Sequence, residues 1–443
     1  MSKIIQNFKN ISYGPAPEDS KDVMSWINSL NHPNLLFING KWIKSKSSKK
    51  IQVINPATNK KLTTLAVSNK SDVNEAVGAA KKAFASWSKT SSDTRAKYLY
   101  ALARLIQKHS RFLSVLETID NGKPIRETRD IDIPLVARHF YYHAGWAKKI
   151  DTNKQKPIGV IGQIIPCNFP LLMLAWKIAP AIAAGNTVVL KPAEFTSLTA
   201  LYFAELCQKA RLPKGVINII TGDGSTGEII TSHQDTKKIA FTGSTEVGKK
   251  IIQSSAEQEK KLTMELGGKS PFIVFEDADL DSAVEGVVDA IWFNQGQVCC
   301  AGSRLLVQES VEKLFIKKLK ARMEKLRVGN PLDKSIDIGA IVAPVQLKKI
   351  QSIVKKGEKE GSKLWQPSWA CPTDGLFYPP SIFTNVSPSS FIAQVEIFGP
   401  VLSVLNFRTP SEAVSIANNT PYGLAASIWS ENINLALDIA PKI

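Results

Sequence analysis

The stretch GVIGQIIPCNFPLLMLAWKIAPAIAAGNTVVLK, residues 159–191, decides the fold. Its opening, GVIGQII (159–165), is a short apolar run that reads as a buried strand. LLMLAWKIAPAIAAG (171–185) follows as a helix and NTVVLK (186–191) as a second strand. Strand, helix and strand in close succession make a right-handed βαβ unit, which requires parallel strands. The pattern continues downstream. SLTALYFAELCQKAR (197–211) reads as a helix, VINIIT (216–221) and IAFTG (239–243) as strands, and STEVGKKIIQSS (244–255) as a helix. Upstream, DVNEAVGAAKKAFASWS (72–88) places Val73, Ala76, Val77, Ala80, Phe84 and Trp87 on one helical face, with Ser71 as its N-cap. After about residue 265 a second series begins, including a helix over 311–326 that aligns Val311, Leu314, Phe315, Leu319, Met323 and Leu326. The fold class is α/β, with a mainly parallel sheet and no internal repeat.

A chain of 443 residues corresponds to two or three domains at about 150 residues each. Apolar residues make up 44% and charged residues 21%, so a sizeable core can be buried and disorder is excluded. Fifty-six Lys and Arg against 39 Asp and Glu give a net charge of +17. The lysines are dispersed, and their densest run, KSKSSKK (44–50), lacks interleaved aromatics, so a solvated surface is expected rather than nucleic-acid binding. The N-terminus has no apolar signal core. The most apolar segment (171–190) is interrupted by Lys177, Pro180, Gly185 and Asn186, so no membrane partner is expected. Five cysteines, two of them adjacent, do not form a disulfide framework, which points to a reducing compartment and a cytoplasmic location.

Chemistry gathers at the ends of the predicted strands. GDGSTG (222–227), beginning at Gly222, matches the G-x-G-x-x-G pattern, but the next strand ends without the acidic residue of the regular dinucleotide fingerprint. By itself the match fits a tight turn equally well. Lys191 and Glu194 in KPAE sit at the carboxyl end of a strand, where open parallel sheets bind ligands. FTGST (241–245) presents Gly243 and the Ser244 hydroxyl at a helix N-terminus suited to a pyrophosphate. MELGGKSP (264–271) places the Glu265 carboxylate beside a glycine pair. FNQGQVCCAGSR (293–304) carries Cys299 and Cys300 in a loop of small and amide residues, where a cysteine is either a nucleophile or a small buried hydrophobe. The five histidines (His32, His109, His139, His143, His233) lie outside these motifs, and no metal-ligand spacing occurs.

These motifs, with GQIIPCNFP, EIFGPV and TPYGLAASIW in the same order along the chain, resemble the NAD(P)-dependent aldehyde dehydrogenase superfamily from about residue 36 onwards. SYGPAPED (12–19) leading to FINGKW (37–42) is similar to the sixteenth family, whose members carry two modules. The resemblance implies a Rossmann-like cofactor domain over 36–264 after an N-terminal extension (1–35), and a catalytic domain over 265–443. It places Cys299 at the nucleophile, Glu265 at the general base and Asn168 at the oxyanion-stabilising amide. Lys191 and Glu194 fall at the adenosine-ribose contacts and Ser244 at the pyrophosphate contact. Glu396 and Phe398 fall at the nicotinamide-side ribose and ring contacts. Cys300 occupies a position that the family does not require, where packing is expected. The implied reaction converts an aldehyde, a small-molecule substrate, to a carboxylate with NAD; Glu194 disfavours NADP because its charge repels a 2′-phosphate.

Three departures qualify these implications. Cys167 stands where the family has Trp, leaving a smaller side chain beside Asn168. The segment AKKIDTNKQK (147–156) is too short for the hairpin of the family's oligomerisation arm, which in the full-length protein would support a homodimer. The chain also stops at Ile443, before the family's last strand, which implies a truncated catalytic domain. Two other activities stay open at this level. One is a catalytically silent binding or scaffold module; the other is a relative that passes its thioester to coenzyme A.

Overall fold

The computed structural model describes residues 16–30, 35–150 and 154–443. His32, the start of SYGPAPED and part of segment 147–156 lie outside them.

Fifteen strands form three sheets among the described residues. Two hairpins come first: β1 (Leu35–Ile38) pairs with β2 (Lys41–Lys44), and β3 (Lys50–Asn55) with β4 (Lys60–Ala66). Then β5 (Val160–Ile164), β6 (Thr187–Lys191), β7 (Ile217–Ile219), β8 (Thr236–Thr242) and β9 (Lys261–Glu265) run parallel, separated by helices Pro170–Ala183, Leu198–Lys209, Gly224–Ser232 and Thr245–Ser255. The first hairpin adds antiparallel to β7, giving the order β2-β1-β7-β6-β5-β8-β9. Both β5 and β6 are buried along their whole length, as an interior parallel strand must be when helices cover both faces of its sheet. That explains why they appear in the sequence as continuous apolar runs rather than alternating ones.

A second sheet contains β10 (Pro271–Val274), β11 (Arg304–Gln308), β12 (Lys363–Trp365), β13 (Ser381–Thr384), β14 (Val401–Phe407) and β15 (Ser427–Trp429), in the order β12-β13-β14-β11-β10-β15. Only β12 is antiparallel to its neighbour. Side chains alternate across this sheet. Phe272, Val274, Leu305 and Val307 pack to one core, while Ile273, Leu306 and Phe383 pack to another.

Helices Lys70–Trp87, Ser92–Lys108, Ser110–Asn121 and Ile133–Lys149 precede β5. Leu99, Leu102, Phe140, Leu174 and Phe203 interlock these helices with those of the first sheet. The first helix begins earlier than the sequence predicts. Its N-cap is Asn69 rather than Ser71: the Asn69 side chain accepts from the Asp72 N–H while the Asp72 carboxylate accepts from the Asn69 N–H, each at 3.1 Å. This reciprocal pair satisfies two orphan donors where Ser71 would have satisfied one. No helix among the described residues is long and apolar enough to cross a membrane.

Candidate active site

The predicted site residues of the first sheet all follow carboxyl ends of parallel strands: Asn168 after β5, Lys191 and Glu194 at β6, Gly222 after β7, Gly243 and Ser244 after β8, and Glu265 at the end of β9. This is the edge where an open α/β sheet binds its ligands.

Cysteine positions are set by an unusual turn. Asn294 (φ 48°), Gln295 (φ 55°) and Gly296 (φ 69°) are three consecutive left-handed residues. A non-glycine residue held there costs about 1–3 kcal/mol, so the surroundings must enforce it. They do so with buried hydrogen bonds. Gln295 donates to the Ala340 carbonyl at 3.1 Å and accepts from the Gly339 N–H at 3.3 Å, and Gln297 accepts from the Val342 N–H at 3.1 Å. Gly296 packs on the EIFGP turn so tightly that a Cβ would lie 2.2 Å from the Gly399 carbonyl oxygen.

Beyond this turn Cys299 is half-buried and Cys300 exposed, so the packing role expected for Cys300 is not what the structure shows. Cys300 is the one exposed residue of the short segment between the turn and β11, in which Ala301 and Gly302 are buried. The titrations of the two thiols are linked: Cys300 is lowered to about 6 by its neighbour, whereas Cys299 is raised above the ordinary thiol range, by Cys300 first and by burial second. Cys299 therefore needs a change of surroundings, such as a bound substrate, to react as a thiolate.

Asn168 is 3% exposed, and its side-chain N–H donates to the Gln297 carbonyl at 2.9 Å, two residues before Cys299. A second N–H of the same amide is left to donate elsewhere. At Cys167 the segment is held through its backbone. The Cys167 carbonyl accepts from the Asn121 side chain at 2.5 Å and the Asn168 carbonyl from Asn294 at 2.8 Å, so backbone contacts hold it.

Glu265 is exposed at the end of β9. The glycine pair after it lets three segments meet. A Cβ on Gly268 would lie 2.4 Å from the Cys299 carbonyl oxygen, and one on Gly267 would lie 2.3 Å from a Glu396 carboxylate oxygen. The Gly268 N–H donates to Glu396 at 3.3 Å. Burial raises the Glu396 carboxyl, opposed by that hydrogen bond and by Lys349 and Lys269. Phe398 has a left-handed backbone (φ 55°), fixed by Gln346, whose side-chain amide donates to the Ile397 and Phe398 carbonyls at 3.0 and 2.9 Å.

The cofactor-side residues have a donor set suited to a dinucleotide. Lys191 is 3% exposed and donates to the Pro192 and Gly222 carbonyls at 2.9 Å, with the half-buried Glu194 carboxylate 3.7 Å away. A ribose diol matches an ammonium beside a carboxylate. Gly222 opens a turn in which Asp223, not a phosphate-binding nest, caps helix Gly224–Ser232. Ser244 caps helix Thr245–Ser255 by accepting from the Val247 N–H at 3.3 Å, which leaves its own hydroxyl hydrogen for an anion.

Sequence reasoning registered Lys177 only as a charge interrupting an apolar helix. Lys177 is 9% exposed, and its ammonium donates to the Thr242 hydroxyl at 2.7 Å. Burial lowers its pKa to about 8, with the Glu265 charge opposing the shift.

Residues 42–443 match the aldehyde dehydrogenase family. The chain is 44% identical over 439 residues to the mitochondrial aldehyde dehydrogenase of Rattus norvegicus, covering 95% of this chain and 83% of that protein. It is 42% identical to an aldehyde dehydrogenase of Agaricus bisporus, covering 91% and 84%. Among solved structures it is similar to the NAD+ complex of the Bacillus cereus aldehyde dehydrogenase, with a TM-score of 0.92 and 38% identity over 96% of this chain and 89% of that one.

Proposed function

The chain belongs to the aldehyde dehydrogenase family, and from that premise we propose that Cys299 is its nucleophile, Glu265 its general base and Asn168 its oxyanion donor. The protein oxidises an aldehyde to a carboxylate with NAD. An aldehyde has no leaving group, so the Cys299 thiolate adds to the carbonyl carbon before any hydride can depart. The resulting oxyanion takes hydrogen bonds from the free N–H of the Asn168 amide and from the Cys299 backbone N–H. NAD, when bound, would supply the hydride acceptor, and loss of the C–H hydride as the oxyanion collapses leaves a thioester on Cys299. Glu265 then removes a proton from water, the hydroxide oxygen attacks the thioester carbon, and the carbon–sulfur bond breaks to release the carboxylate and the Cys299 thiolate.

The observation that carries this reading is the contact of Gly268 with the Cys299 carbonyl, which brings the segment following Glu265 against the turn bearing the nucleophile. Lys191, Glu194, Gly222, Gly243, Ser244, Glu396 and Phe398 would hold the cofactor along the same sheet edge. Five free cysteines support a reducing, cytoplasmic setting. A homodimer goes with this reading, and light scattering tests it.

The deciding experiment is NADH production from aliphatic, aromatic and semialdehyde substrates without coenzyme A. Turnover supports hydrolysis at Glu265. Turnover only with coenzyme A present would replace water with that acceptor.

A further inference from the structure

We propose that Glu127 is a positioning residue for the oxyanion site: its buried carboxyl fixes the Asn294 backbone, and Asn294 in turn fixes Asn168. The proposal rests on the assignment of Asn168 as oxyanion donor.

Glu127 lies in the turn that follows helix Ser110–Asn121, far in sequence from the cysteines, and is 3% exposed. Its two carboxyl oxygens lie 3.0 and 3.2 Å from the Asn294 backbone nitrogen. Asn294 is the first of the three left-handed residues, so its N–H points away from ordinary helical partners and into the protein interior. The Asn294 side chain then donates to the Asn168 carbonyl at 2.8 Å and to the Gln297 carbonyl at 3.3 Å. The Asn168 amide donates to the same Gln297 carbonyl at 2.9 Å. Three short links therefore join Glu127 to the oxyanion donor and to the residue two positions before Cys299.

The far end of this path is anchored. Lys123 and Asp132, both wholly buried, pair at 2.6 Å beside Glu127, and the Lys123 ammonium lies 3.9 Å from the centre of the Phe169 ring, next to Asn168. A carboxyl group that touches no substrate can thus govern where the oxyanion donor sits. An error of about 1 Å in such placement costs up to roughly a hundredfold in rate. Gln in place of Glu127 keeps an acceptor for the Asn294 N–H at nearly the same volume, whereas Leu keeps the volume and removes the acceptor.

The test compares Glu127→Gln, Glu127→Leu, Asn168→Ala and the Glu127→Leu/Asn168→Ala double variant, using the aldehyde that gives the fastest NADH formation in a substrate panel. Glu127→Leu is expected to lower kcat roughly ten- to a hundredfold with the KM for NAD unchanged, and Glu127→Gln to restore kcat to within about threefold. The double variant should be no slower than Asn168→Ala alone, because both act through one donor. If Asn168→Ala loses kcat while Glu127→Leu does not, or if the two losses multiply, the proposal is wrong and the assignment of Asn168 survives. Full kcat in Asn168→Ala would instead overturn that assignment. Should Glu127→Leu fail to fold, Asn294→Ala breaks the path at its second link and carries the same expectation.

Discussion

The Cys299 carbonyl oxygen lies where a Cβ on Gly268 would come within 2.4 Å of it. The colliding atom belongs to the backbone, so no side-chain rotation relieves it. Gly268→Ala should therefore displace the cysteine turn, lowering kcat by about a hundredfold and stability by about 1–3 kcal/mol. Steady-state kinetics and thermal melting check both; wild-type kcat would show that the turn tolerates the shift.

Replacing Glu265 by Gln should leave addition and hydride loss intact but stall hydrolysis. The expected signature is a stoichiometric burst of NADH followed by very slow turnover. Stopped-flow fluorescence reads the burst directly, and its loss would mean that Glu265 also takes the proton from the thiol.

Cofactor choice follows from Glu194, half-buried beside Lys191 at the end of β6. Its charge disfavours a 2′-phosphate, so kcat/KM should favour NAD over NADP, and Glu194→Gln should narrow the gap. Equal kcat/KM for both cofactors in the unaltered protein would contradict this role.

Burial raises the Glu127 carboxyl to about 8, with Lys123 and Arg126 opposing and Asp132 reinforcing the shift. A carboxyl whose pKa is raised on folding binds its proton more tightly in the folded state. Its contribution to stability is complete below the unfolded value of about 4.3 and is lost as pH rises through the folded value. Glu127→Gln cannot ionise, so its melting temperature relative to wild type should be higher at pH 9 than at pH 5. A pH-independent difference would contradict the buried neutral acid.

The parallel core of the fold is legible in the sequence because β5 and β6 are buried on both faces and bounded by helical periods. The antiparallel hairpins are not. In β2, for example, the pattern KWIK (Lys41–Lys44) is exposed at both ends and has no run long enough to distinguish it from a loop. Cys299 and Glu265 are visible through their motifs. Glu127 and Asn168 act through hydrogen bonds to Asn294 and Gln297, each spanning more than 120 residues of sequence, and no local period records such contacts. Lys177 did leave a signal, a lone charge in an otherwise apolar helix, but its meaning depends on Thr242 in β8, the third strand after that helix.

The most direct measurement is NADH formation by Cys299→Ala and Cys300→Ala, paired with mass-spectrometric mapping of the residue alkylated by iodoacetamide in the wild-type protein. Cys299→Ala should abolish turnover while leaving NAD binding nearly intact. Cys300→Ala should retain turnover, and the label should fall on Cys299. Activity that survives Cys299→Ala and disappears in Cys300→Ala, with the label on Cys300, would contradict the assignment of the nucleophile.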